Sequence, residues 1–128
     1  MSGPFIWVGT YKIKPGKVEE ARKRIQELTD LVEANEPRLI AFNFYVDQEN
    51  ERTTCVQVHP DAASMAFHLE VIADHLSSAG EWLEKAEATE AYGAPPEGLI
   101  EGERRWIDPR SLRLMPNHEA GFVRTAAR

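Results

Sequence analysis

The segment Phe5–Ile13, FIWVGTYKI, narrows the folds open to this chain more than any other. It is rich in β-branched and aromatic residues and runs into Pro15-Gly16, so it reads as a strand closed by a turn. The period then changes. Val18, Ala21, Ile25, Leu28 and Val32 recur at intervals of three and four, the apolar stripe of a helix. Glu19 and Glu20 complement the dipole of its first turn, and Pro37 follows its end. Two further strands, Arg38–Val46 and Arg52–His59, flank the polar loop DQENE. Asp61 can cap a second helix that carries MAFHLEVIADH (Met65–His75) and breaks at Ser77–Gly80. The piece EWLEKA reads as helical, and Thr89–Gly93 as a fourth strand closed by Pro95-Pro96. The order β-α-β-β-α-β defines an α+β, ferredoxin-like unit with an antiparallel sheet. It occupies residues 1–96, and 97–128 form a C-terminal extension that can dock on its own or a partner subunit.

The strands carry more than their order. In Arg38–Val46 one face holds Ile40, Phe42, Phe44 and Val46, and the other Leu39, Ala41, Asn43 and Tyr45. Phe5–Ile13 is similarly apolar on both sides. An antiparallel sheet with one wet face alternates cleanly between apolar and polar residues, so both faces of this sheet are expected to be covered. The helices suffice for one face. A second copy is the simplest cover for the other, and closed two-fold pairs are the commonest oligomers; a homodimer is expected.

Composition excludes several classes. A net charge of −6 lacks the basic footprint of a nucleic-acid binder. No apolar run approaches the roughly 20 residues needed to span a bilayer, and no basic segment precedes the short apolar start, so neither a membrane segment nor a signal peptide is expected. The single cysteine, Cys55, excludes an internal disulfide and fits a reducing compartment, the cytoplasm by default. The extension holds six Arg and no Lys against five acids, a composition suited to docking through carboxylate pairs.

Taken together, VGTYKIKPGKVEEARKRIQEL, ANEPRLIAFNFYVDQENERT, AFHLEVIADHL and AYGAPPE resemble the antibiotic biosynthesis monooxygenase-like domains. The resemblance spans roughly residues 5–96. It implies a dimeric α/β barrel built from the ferredoxin-like unit. GFVR (Gly121–Arg124) looks like a closing strand that some members carry. The superfamily includes cofactor-independent quinone-forming monooxygenases, haem-degrading enzymes, isomerases and members without known chemistry, so fold alone does not select among them. His68 falls where many members carry a histidine on the second helix. Haem-degrading members have an asparagine on the first strand, and WVGTY has none.

The residues support proton chemistry better than metal chemistry. His68 and His75 are seven positions apart, a rise of about 10.5 Å, whereas two nitrogen ligands of one zinc ion lie some 3–4 Å apart. No metal site is expected. His68 borders the apolar stripe of Met65, Leu69, Ile72 and Leu76, where a neutral imidazole suits abstraction of a phenolic or enolic proton. A structural imidazole bonded to backbone is the alternative. Asn43 interrupts an apolar run and needs a partner if buried; it is a candidate to hold a developing oxyanion, and Tyr45 is a candidate to help remove the proton in place of His68. Trp7, Tyr11, Trp82 and His75 are candidates to line a cleft for a small molecule. No nucleotide or nucleophile-elbow motif is present. The expected function is a cofactor-independent monooxygenase-like activity on a small hydroxy-aromatic or polyketide-like substrate. The alternatives are a non-catalytic binding or stress-linked protein, or a haem-handling or isomerase member.

Overall fold

A computed structural model describes residues 3–124. The elements run β1 (Phe5–Ile13), α1 (Val18–Asn35), β2 (Ala41–Asp47), β3 (Arg52–His59), α2 (Ala62–Val71), α3 (Ala73–Ser78), β4 (Leu83–Tyr92), α4 (Leu99–Gly102) and β5 (Leu112–Met115). The strands form one sheet in the order β2-β3-β1-β4-β5. β1 pairs antiparallel with β3 and β4, β2 pairs antiparallel with β3, and β5 joins β4 in parallel. This is the ferredoxin-like α+β fold with one strand added at an edge.

The first turn forms for local reasons. Gly16 has φ 77° and its N–H donates to Glu51 Oε2 at 3.0 Å, so the Pro15-Gly16 turn is held by the β2–β3 hairpin. From there α1 buries Ala21 and Val32 and packs Val18 and Ile25 against the core. Asp61 caps α2 by accepting from the Ser64 N–H at 2.9 Å. The inner face of the sheet presents Phe5, Trp7 and Ile13 from β1 and Thr53, Cys55, Gln57 and His59 from β3. Phe5, Trp7 and Ile13 form one core with Met65, Trp82 and Leu83.

Three expectations from the sequence are corrected. EWLEKA is not helical, because Leu83 begins β4. Leu83, Ala86 and Thr89 are buried at intervals of three, as on a helix, because β4 slips register against β1 between Thr10 and Tyr11 and between Tyr11 and Ile13. Each irregularity adds a residue on one strand and breaks the period of two. The second helix breaks at Ile72 rather than at Ser77–Gly80, which places His68 on α2 and His75 on α3. The strand in the extension is Leu112–Met115, aligned from Thr89↔Leu112 to Tyr92↔Met115, while Gly121–Arg124 has no regular structure.

The extension also enters the core. Leu99, Trp106 and Ile107 are buried in the same cluster as the β1 residues, and Trp106 O accepts from the Ala86 N–H at 2.8 Å. Trp106→Ala is therefore expected to cost about 3–5 kcal/mol of stability, measured by urea unfolding. A loss within 0.5 kcal/mol, the usual range for surface positions, would show Trp106 to be a surface side chain in solution.

Candidate functional site

Between the inner face of the sheet and α2–α3 lies a cavity of about 80 Å³, lined by Tyr11, Phe42, Phe44, Cys55, Gln57, His68, Ile72, His75, Trp82 and Trp106 among others. A water occupies roughly 10–15 Å³ of such space, so the cavity suits a ring-sized group. Toward α1, the cavity-lining His68 meets a buried carboxyl. His68 Nδ1 lies 2.8 and 3.1 Å from the two carboxyl oxygens of Glu36, and both side chains are almost wholly buried. Two oxygens facing one nitrogen fit an N–H donating between them. That tautomer, the one an ionised Glu36 selects, leaves the lone pair on Nε2, which is buried and has no hydrogen-bond partner among the described residues.

Glu36 is placed by the end of α1. Its own N–H still bonds to Val32 O at 2.9 Å, and Pro37 prevents another turn. A carboxylate at a helix C-terminus meets the negative end of the dipole, and burial raises its acidity range further, to about 7. Burial pushes His68 down to about 3, with the neighbouring His59 adding to the shift. On the outer side of Glu36 lies a surface cleft of about 340 Å³ lined by Thr29, Val32, Glu33, Glu36, Leu39 and Phe42.

His59 is as buried as His68 but differently bonded. Its ring is 5.6 Å from that of His68, with Nδ1 2.8 Å from Ser64 Oγ and Nε2 2.9 Å from Gln57 Oε1. Both nitrogens are satisfied, and burial lowers its pKa to about 4 against the pull of Asp61. Tyr11 lies along the sheet over Gly9, where a Cβ would meet its hydroxyl at 3.0 Å. Burial holds that hydroxyl protonated, and pushes the Cys55 thiol up to about 12.

Of the residues expected to form a site, His68, His75, Tyr11 and Trp82 share the cavity. Trp7 is buried in the core beside Phe5, with ring centroids 6.3 Å apart, and does not line the cavity. Asn43 and Tyr45 do not join His68. They alternate with Phe42 and Phe44 along β2, so they point out of the opposite face of the sheet, and Tyr45 is 63% exposed. Both faces of β2 are apolar, which made Asn43 look buried. Glu36, His59, Gln57 and Trp106 were not singled out by the sequence. Two signals pointed to them: an acid at the wrong end of a helix, and polar Gln57 and His59 on the buried face of β3. Among the described residues no group of three or more His, Cys, Asp or Glu side chains is placed to hold a metal ion, and no helix is long and apolar enough to cross a membrane.

Sequence comparison with protein-family profiles and with curated proteins finds no match. Solved structures do match. MupZ from Pseudomonas fluorescens superposes with a TM-score of 0.75 at 18% identity, over 97% of this chain and 91% of its own, so the likeness reaches into the extension. A protein from Caulobacter crescentus CB15, provisionally named an antibiotic biosynthesis monooxygenase, gives 0.63 at 20% identity over 70% of this chain and 88% of its own. One from Chloroflexus aurantiacus J-10-fl with the same provisional name gives 0.59 at 11% over 70% and 90%. The chain has the fold of the antibiotic biosynthesis monooxygenase-like proteins.

The buried trio contributes to the pH dependence of stability. Glu36 keeps its proton in the folded protein to about 7, against 4.5 as the ordinary value, so its contribution to stability falls as pH rises across that interval. His68 and His59 do the reverse. The unfolded chain takes up protons near 6.5 that the folded protein refuses until about 3 and about 4, so stability falls as pH drops below 6.5. Each group contributes at most about 1.4 kcal/mol per pH unit, and burial also raises Glu103, so between pH 4.5 and 6.5 two carboxyls oppose the two histidines. Glu36→Gln removes one of the opposing carboxyls and is expected to raise the slope of stability against pH across that window, read from urea unfolding at several pH values. An unchanged slope would mean that Glu36 titrates alike in both states.

Proposed function

We propose that the protein is a cofactor-independent, proton-abstracting enzyme that oxidises a small hydroxy-aromatic molecule with O2. The observation that carries this reading is the unpartnered Nε2 of His68, backed by Glu36 at the wall of an apolar cavity. Above about pH 7, where Glu36 is ionised, it accepts from Nδ1–H and stabilises the positive charge that appears when Nε2 takes a proton. The phenolate so formed carries electron density to the ring carbon para to its oxygen. O2 forms a C–O bond there. Loss of water, which carries away one oxygen atom, the abstracted proton and the ring hydrogen, leaves a quinone. The four electrons that reduce O2 come from the ring, so no separate reductant enters. Tyr11, kept protonated, is a donor available to the oxyanion in place of the outward-facing Asn43. The size of the cavity favours a single ring over a fused polycycle. His68→Gln is expected to lower the rate of O2 uptake with monocyclic hydroxy-aromatics by about 10²–10⁴-fold. Uptake that survives in His68→Gln would sink the reading.

A second reading rests on the larger cleft. There Glu36, with a pKa of about 7, is itself the acid or base toward a bound molecule, and His68 supports it from behind. Its mark is the opposite ranking: Glu36→Gln inactive, His68→Gln substantially active.

The reading includes a homodimer in the reducing cytoplasm, with the outer sheet face as the interface. Ile6, Val8, Val56 and Val58 lie on that face beside Asn43 and exposed Tyr45, and the one cysteine is a buried thiol. Val56→Asp is expected to shift the mass measured by light scattering from two chains to one. A monomeric parent protein would refute the pairing.

A further inference from the structure

Gln57 is 7% exposed, stands on the inner face of β3 and lines the cavity. Its two ends are treated differently. The oxygen Oε1 lies 2.9 Å from His59 Nε2, whereas Nε2 has only Cys55 Sγ, at 3.7 Å. A thiol sulfur is a weak acceptor, so the amide presents donors to the cavity with no oxygen to receive them.

The orientation of that amide follows from Ser64. Its buried hydroxyl bonds to His59 Nδ1 at 2.8 Å and to nothing else among the described residues. If it accepted there, its own O–H would be left unpaired in the interior, so it donates. Nδ1 then accepts, His59 Nε2–H donates, and the group that receives it must be the oxygen of Gln57. The chain Ser64, His59, Gln57 is thus a directional lock that ends with an N–H₂ at the cavity.

We propose that Gln57 is the residue that binds the substrate's oxygen and that His59 and Ser64 are positioning residues for it; the inference rests on the proton-abstraction reading and specifies its substrate. Among the described residues no Lys or Arg lines the cavity. The substrate therefore enters uncharged, with a carbonyl, phenolic or enolic oxygen against Gln57 Nε2 and its acidic proton toward His68. Charge arises on that oxygen only when the proton leaves, and the amide is already aimed at it. A buried donor left unpaired discriminates against a ligand without an acceptor more sharply than an apolar wall does.

The test is a pair of probes of one shape, cyclohexanone and methylenecyclohexane, titrated while following the fluorescence of Trp82 and Trp106, which line the cavity. The parent protein is expected to bind the ketone about five- to ten-fold more tightly. Gln57→Leu is expected to keep the hydrocarbon and lose that preference. Ser64→Ala removes the donor that fixes His59, lets the amide turn over, and is expected to shrink the preference without weakening the hydrocarbon. A general loss of packing would weaken both probes together. A parent protein that binds both probes equally, or a preference that survives in Gln57→Leu, overturns the inference while leaving the chemistry of His68 standing. Failure of both probes to bind overturns the cavity and the inference with it. In D2O, exchange of the ketone's α-protons reads His68 separately, because it tests proton abstraction and not the preference.

Discussion

The contact between Glu36 and His68 ties the end of α1 to the middle of α2 across 32 residues of chain, and the character of the interior follows from it. An ionisable carboxyl at a helix C-terminus and an imidazole on an apolar helix face are each costly to bury. Together they satisfy one another at Nδ1, so burial is tolerable. The arrangement does not satisfy Nε2. One unpaired basic nitrogen inside an apolar enclosure is an expense that packing alone would have removed, since an aliphatic side chain would fill the place without an unmet hydrogen bond. Thr89 Oγ1 is the other buried side-chain atom in this condition among the described residues, but a hydroxyl has far less to do with a proton than an imidazole does.

The comparison of His68 with His59 sharpens the point. Both are fully buried, and their rings lie 5.6 Å apart. Similar environments lower both pKa values, so burial cannot distinguish their roles. Bonding can. His59 spends both nitrogens inside the protein, one on Ser64 and one on Gln57. His68 spends only one. The difference separates an imidazole that fixes its neighbours from one that is free to react.

Much of the fold was legible because strand and helix periods are local properties. β1, α1, the β2–β3 hairpin and the Asp61 cap stand where the residues put them, except that β2 begins at Ala41 rather than Arg38. β4 was not legible at its start. Register slips against β1 gave Leu83, Ala86 and Thr89 a helical spacing, and those slips depend on the partner strand. The site was legible in half. His68 carried a local signal, a polar residue beside an apolar stripe. Glu36 carried only the anomaly of its position, and the contact that gives it meaning is non-local. Asn43 failed for the reverse reason. On a strand apolar on both sides, alternation cannot say which face turns to the helices; the register with β3, which pairs Phe42 with Gln57 and Phe44 with Cys55, decides it.

The extension links stability to specificity. Trp106 packs in the same core as Phe5 and Trp7 and also walls the cavity. Its ring stands 3.7 Å from the place a Cβ would occupy on Gly80, just beyond α3. Cavity volume is therefore set by a segment outside the βαββαβ unit, and by a residue the core requires. The fold is shared with proteins at 11–20% identity, where little of the interior can be the same. What the shared fold supplies is an inner sheet face with helices packed on it. In the proposed reading, the residues added to that frame divide the work: Trp106 from the extension limits size, Gln57 takes the oxygen, and the Glu36–His68 pair takes the proton.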